Sequence, residues 1–469
     1  MVAPDRTGSA LDAASEPSLD IEARIAACRG GRGSDRFVGV RLPANFDPLA
    51  LLDDPATSDV VASYERPSRE FALIGVGEAG CVELPAGATP DALRDGARRL
   101  LDREAASEAP ELRPRLLGGF AFDGRRMPGA PWAGFAAGAM LLPRLLFVRD
   151  GGVSGVVVAP GVDPGEVKAL VARVIARARA IVAPPRVPRV LRVLRDFDRA
   201  HWLAAVGTVA SAIRAGLYEK VVLAAMRELE ADGPIAVGAT MARLRREYPH
   251  CHLFSMRAAG AIFLGASPEL LVSLRDGVVS ALGLAGSARR DPSPELDAQV
   301  GQALLASAKD RIEHETVVRA LRSGLEPLTE QLRVPSEPTL LQLRNIQHLA
   351  TEISGRVAPN VDVFDLVQRL HPTPAVCGWP TTAAREVIGE QEAFDRGWYA
   401  GPIGWVDAAG DGEFAVGLRS ALVRDDRAWL FAGAGIMADS DPASELAEIE
   451  MKFTPLAGAL AGVPEAGEA

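Results

Sequence analysis

Residues 404–435, GWVDAAGDGEFAVGLRSALVRDDRAWLFAGAG, carry the pattern that decides the fold class. Their apolar runs are separated by Gly410-Asp411-Gly412 and by Asp425-Asp426, the punctuation of tight turns between strands. The stretch therefore predicts a three-stranded antiparallel meander. On its middle strand, the two-residue period puts Phe414, Val416, Leu418 and Leu422 on one face and Arg419 on the other. Upstream, residues 270–274 and 278–282 flank Arg275-Asp276-Gly277 and predict a hairpin. Helices lie between such units. Residues 296–321 contain no Gly or Pro except Gly301 and predict one principal helix. Residues 442–452 predict another, capped by Ser440 or Asp441, and 163–182 a third, with Asp163 as N-cap and Pro164 at its first position. Hairpins interleaved with helices indicate an α+β protein with large antiparallel sheets, not a doubly wound parallel sheet.

At 469 residues the chain has the length of two or three lobes or of one large fold. Residues 1–35 are polar and small and read as a flexible leader. Residues 36–190 form an N-terminal half, ending where Ala183-Pro-Pro-Arg-Val-Pro188 interrupts regular structure, and 191–465 form the second half. A content of 48% hydrophobic and 24% charged residues suits a globular chain with a substantial core. The net charge of -10 speaks against nucleic acid as a partner, since phosphates demand a basic surface. No segment has the ~18 uncharged apolar residues of a membrane span; the best, 136–148, is broken by Pro143 and Arg144. No apolar signal region follows the N-terminus. Cys28, Cys81, Cys251 and Cys377 have no metal or redox spacing. The expectation is a cytoplasmic protein without membrane partners.

The basic residues are unevenly chosen: of 51, only Lys168, Lys220, Lys309 and Lys452 are lysine. Only lysine can act as a neutral amine near neutral pH, once burial or a cationic neighbour disfavours its charge. Lys220 opens the apolar run Tyr218-Glu-Lys-Val-Val-Leu223, where desolvation would suit it to general-base work; an edge-strand lysine facing water is the alternative. Glu269, in Gly265-Ala-Ser-Pro-Glu269, precedes a hydrophobic strand and becomes a general acid if burial keeps it protonated. Asp310 and Glu313, and again Glu445 and Glu448, lie three residues apart on helical stretches, so each pair shares a face. Two such faces meeting would offer hard oxygen ligands to Mg²⁺, and two solvated faces would do nothing. Lys452 stands one turn beyond Glu448. His348 has no spaced partner and reads equally well as a core histidine. Residue by residue, the pattern supports a divalent-metal enzyme acting on a small anion.

Together these segments resemble the chorismate-utilising enzymes, which include isochorismate, salicylate, anthranilate and aminodeoxychorismate synthases. The matching residues are Tyr218-Glu-Lys-Val-Val-Leu223, Phe263-Leu-Gly-Ala-Ser-Pro-Glu-Leu-Leu271, Leu284-Ala-Gly-Ser287 and Lys309-Asp-Arg-Ile-Glu-His314. They continue through Ile346-Gln-His-Leu349, His371-Pro-Thr-Pro-Ala-Val-Cys-Gly378, Arg396-Gly-Trp-Tyr-Ala-Gly401, Ala432-Gly-Ala-Gly435 and the helix bearing Glu445 and Lys452. Gly118-Gly-Phe-Ala-Phe-Asp123, with Trp132, Phe135 and Leu142-Pro143, is similar to the N-terminal half of menaquinone-type isochorismate synthases.

The resemblance implies a layered fold with 191–465 as the catalytic core. It places Mg²⁺ on Glu313 and Glu448, with Asp310 and Glu445 as companions; family enzymes usually show Glu where Asp310 stands. The ion would hold the ring carboxylate of chorismate, with His348 and Lys452 beside it. Tyr399, Arg419 and the Gly433 backbone would hold the enolpyruvyl carboxylate, and Gly286 and Ser287 would also meet substrate. No role follows for Lys309. Lys220, where ammonia-using members carry glutamine, would deprotonate water for attack at C2 while Glu269 protonates the leaving C4 hydroxyl. Ala375 stands where salicylate synthases usually have threonine. The reading is thus an isochorismate synthase for menaquinone or a siderophore, a monomer without an amidotransferase partner. The alternatives are a salicylate synthase, an anthranilate synthase-like enzyme and, from another class, a chorismate-binding protein without catalysis.

Overall fold

The stretch predicted as a meander is two hairpins in different parts of the sheet. Pro402–Asp407 pairs with Gly412–Val416, and Ser420–Arg424 pairs with Arg427–Ile436. Between them the chain leaves one leaf of the sheet for the other through Gly417, Leu418 and Arg419. Arg419 has φ 47°, in the left-handed region, and ends strand geometry there. Leu422 therefore begins a new alternation instead of sharing a strand with Phe414 and Val416. Counting by twos missed the corner because an apolar residue, Leu418, continues the pattern across it.

A computed structural model describes residues 20–30, 35–43, 47, 60–125, 129–180 and 190–462. Among them the strands join into one continuous sheet whose ladders are antiparallel, except where Phe37–Arg41 meets Ala105–Ser107 in parallel. The ribbon starts at Ile346–Val357 and Val278–Arg289, then runs through Leu270–Arg275, Gly412–Val416, Pro402–Asp407 and Arg115–Phe120 to Gly138–Asp150. It turns back through Phe71–Leu84, Val60–Arg66, His252–Ala258, Ala261–Ser267, Ser420–Arg424 and Arg427–Ile436, and ends at Lys220–Ala231. Ala261–Ser267 and Pro402–Asp407 are buried at every residue, the state of strands covered on both faces. The architecture is α+β.

The hairpin at 270–282 forms as predicted. Asp276 and Gly277 both adopt positive φ, the paired left-handed geometry of a two-residue hairpin turn. Helix Pro164–Ala180 also follows its prediction. The single helix expected over 296–321 is two, Pro294–Ala306 and Ala308–Leu325. Ser307 separates them: its backbone is extended, and its hydroxyl accepts the Asp310 N–H as the N-cap of the second helix. Helix Pro442–Ala461 is capped by Asp441 and runs nine residues beyond the expected end.

Part of the predicted leader is folded. Ile21–Arg29 is a helix with Ile21 and Ile25 buried, while residues 1–19 and the proline-rich break at 183–188 lie outside the described residues. Helix Ala308–Leu325 packs on strand Val278–Arg289, and helix Pro442–Ala461 on Arg427–Ile436. These two helices thereby bring their carboxylates to opposite ends of the ribbon, which meet around one cavity.

Candidate active site

That cavity has a volume of about 270 Å³, a space for a small molecule. All fourteen residues selected in the sequence line it: Lys220, Glu269, Gly286, Ser287, Asp310, Glu313, His348, Ala375, Tyr399, Arg419, Gly433, Glu445, Glu448 and Lys452. Each is delivered by a specific piece of backbone. Lys220 is the first residue of Lys220–Ala231, and its side chain is 1% exposed, so the water-facing alternative does not hold. Its Nζ lies 2.8 Å from Glu313 Oε1, across from helix Ala308–Leu325. Gly435 makes room for that pair, because a Cβ there would come within 2.5 Å of Glu313 Oε1.

Glu269 sits just before strand Leu270–Arg275 and is 3% exposed. Burial raises its carboxyl to about 8, against the opposing charge of Lys220, so it is protonated at neutral pH. At Gly286 the ladder between Val278–Arg289 and Ile346–Val357 slips by one residue, and Gly286 takes φ 73°. The bulge sets Ser287 opposite His348, with Ser287 Oγ 2.9 Å and Gly286 O 3.2 Å from His348 Nδ1. Burial, reinforced by Arg419 and Lys452, lowers His348 to about 3 and keeps it neutral. Its Nε2, buried, has no protein partner among the described residues.

On the far wall, Lys452 Nζ donates to Gly433 O at 2.7 Å and lies 2.5 Å from Glu448 Oε1, one turn away on the same helix. Burial pushes Glu448 upward, but Lys452 foremost, with His348 and Arg419, more than offsets it and the carboxyl ends below its ordinary range. Asp310 and Glu445 are both raised, first by burial and then by neighbouring carboxylates: Glu313 for Asp310, Glu448 for Glu445. The ring of Tyr399 stacks on Phe431 with centroids 5.2 Å apart, and burial raises its phenol to about 12.

The carboxylates supply the hard oxygen donors that Mg²⁺ favours. Among the described residues no three Asp, Glu, His or Cys side chains are arranged to hold a metal by themselves. The set fits an ion bound by one or two carboxylates, with water and substrate oxygens completing its shell, which is the usual Mg²⁺ arrangement.

Sequence reasoning missed Lys309, which lines the cavity with Nζ 3.5 Å from Glu445 Oε1. The scarcity of lysine was the available signal: three of the four lysines line this one cavity, and Lys168 pairs with Glu22 on the surface. Phe431, Leu418 and Pro268 were also missed, since apolar lining carries no pattern of its own.

Fold and site together define an enzyme for a small molecule, with a buried amine and a protonated acid facing a carboxylate-lined cavity inside an antiparallel sheet. The chain belongs to the chorismate binding enzyme family, which matches residues 25–461. It is 40% identical over 372 residues to the salicylate biosynthesis isochorismate synthase of Pseudomonas aeruginosa, covering 78% of each chain. It is 36% identical over 353 residues to the isochorismate synthase MenF of Bacillus subtilis, covering 74% of this chain and 75% of that one. The solved menaquinone-specific isochorismate synthase of Escherichia coli superposes with a TM-score of 0.73 at 28% identity, over 91% of this chain and 94% of that chain. No helix among the described residues is long and apolar enough to cross a membrane.

Proposed function

We propose that this protein is an isochorismate synthase that isomerises chorismate with the help of Mg²⁺. The observation that carries the reading is the pairing of buried Lys220 with protonated Glu269 on one cavity. As the free amine, Lys220 takes a proton from water as the water oxygen bonds to C2. Both conjugated ring double bonds shift by one position, from C1=C2 and C5=C6 to C1=C6 and C4=C5, the C4–O bond breaks, and Glu269 gives its proton to the departing hydroxyl, which leaves as water. One water enters and one leaves, so the product has the mass of the substrate. The reverse reaction exchanges the two roles.

Charge balance supports the metal. With Lys220 as the free amine and Glu269 protonated, the cavity is lined by three cations (Lys309, Arg419, Lys452) and four carboxylates. Chorismate brings two negative charges, which a divalent ion would cancel inside a site of low dielectric. Glu313 and Glu448 would hold Mg²⁺, with Asp310 and Glu445 as companions, and the ion would supply a positive anchor for the ring carboxylate. Arg419 and Tyr399 then receive the enolpyruvyl carboxylate and His348 the ring end. Lys220 in place of glutamine sets the protein apart from ammonia-using members. Ala375 lacks the hydroxyl associated with pyruvate elimination. The Gly118-Gly-Phe-Ala-Phe-Asp123 segment favours menaquinone as the destination.

The test is incubation with chorismate and Mg²⁺ without ammonia, with products resolved by chromatography. A non-fluorescent isomer of equal mass, whose formation stops with EDTA, is expected. Salicylate with stoichiometric pyruvate would replace the reading with a salicylate synthase, and turnover indifferent to EDTA would remove the metal.

A further inference from the structure

The strand that begins with Lys220 has an irregular outer edge. Gly378–Trp379 pairs with residues 220 and 221, and Leu191–Arg195 pairs only from residue 228 onward. Between these ladders the backbone groups find other partners. The Val222 N–H goes to Cys377 O at 2.8 Å, Val222 O accepts from Arg396 Nη2 at 2.8 Å, and the Ala224 N–H goes to Glu392 Oε1 at 2.7 Å. Arg396 Nη1 also donates to Val376 O at 2.8 Å, and its Nε to Glu392 Oε2 at 2.8 Å. The guanidinium carbon lies 4.3 Å from the centroid of the Phe122 ring. Both side chains are buried, yet neither lines the cavity. Val222, Ala375 and Val376 do line it.

We propose that Glu392 and Arg396 are positioning residues: a side-chain clamp that takes the place of a strand ladder and fixes the wall bearing Ala375 and Val376 against the wall bearing Lys220. A planar guanidinium reaches two carbonyls and a carboxylate at fixed angles, which a lysine ammonium does not. The distance from the amine to the opposite wall is therefore set outside the cavity. The catalytic part of the proposal rests on the isochorismate synthase reading; the clamp itself does not.

The test uses the full chain with two variants. Arg396→Lys keeps the charge and loses the fork. Glu392→Gln with Arg396→Met keeps the volume and removes both charges, an exchange that buried ion pairs often tolerate without loss of fold. The measurements are circular dichroism, kcat and KM with chorismate and Mg²⁺, and amide hydrogen exchange. We expect folded variants whose kcat falls about 10²-fold, the effect of a displacement near 1 Å, with KM within about threefold of the parent. Protection should fall at Val222, Ala224 and residues 375–377 and nowhere else, and cooling should not restore kcat relative to the parent. A double variant with kcat within about threefold of the parent, or unchanged protection at those amides, would overturn the proposal. Loss of fold in both variants would assign the pair to stability alone and overturn it as well. If the parent leaves chorismate untouched, the isochorismate reading fails, and the exchange measurement still decides on the clamp.

Discussion

Glu269 in the cavity and Glu413 inside the sheet are 3% and 1% exposed, yet the first is raised to about 8 and the second is held at about 2. Burial pushes both upward, and partners make the difference. Glu413 is held down first by His252, 3.4 Å away, and then by Arg66, paired at 3.0 Å, and by Arg275, while Tyr64 donates to it at 3.0 Å. Glu269 has only the charge of Lys220 to oppose its desolvation. An acid that serves the fold arrives with its hydrogen bonds made; one that must give up a proton is left short of them.

Substitutions test that contrast. The largest effect belongs to Lys220→Ala, which should lower turnover about 10⁴-fold while calorimetry still registers Mg²⁺-dependent chorismate binding. Equal loss of binding and turnover would make Lys220 structural, like Glu413. Glu269→Gln comes next, with kcat reduced about 10³-fold. It should also change the pH dependence of stability. Between its ordinary 4.5 and about 8, folded Glu269 holds a proton that the unfolded chain has released, so stability falls as pH rises through that window. The variant should lack that slope in denaturant titrations at about pH 5 and about pH 8; an unchanged slope would mean that Glu269 is not the raised group.

Glu413→Gln should do the reverse. It should cost about 3 kcal/mol, the range for breaking a buried ion pair, and leave kcat of the folded protein unchanged. Glu413 is depressed from 4.5 to about 2, so its contribution is complete above 4.5 and disappears as pH falls toward 2. Thermal melts across that acid range read the effect, and a kcat that falls with the melting temperature would erase the distinction. The smallest change is Ala375→Thr. A hydroxyl on the cavity wall should raise pyruvate release about tenfold or less, the worth of one hydrogen bond. Coupled pyruvate detection measures it, and a flat result would leave Ala375 without a part in product choice.

How much of this was legible in the chain depends on what kind of pattern each feature leaves. The turn at Asp276-Gly277, the cap at Asp441 and the fourteen cavity residues could be read because turn chemistry, capping and short motifs are local. The corner at Arg419 and the break at Ser307 could not, since both interrupt elements whose polarity pattern continues across them. Lys220 was ambiguous for a related reason. Its burial is set by Glu313 and Gly435, distant in sequence and adjacent only in the folded sheet. Glu392 and Arg396 escaped notice because they bond backbone groups, and backbone acceptors leave no trace in side-chain patterns.

The concentration of lysine around the cavity gives the protein an unusual reactivity toward amine-directed reagents. An acylating or reductively alkylating probe meets few side-chain amines, and only Lys168 stands well away from the cavity on the surface. Peptide mapping of such a label becomes a footprint of cavity occupancy. Ligand that shields Lys309 and Lys452, the more accessible of the cavity lysines, should leave the signal at Lys168 as an internal reference within the same molecule.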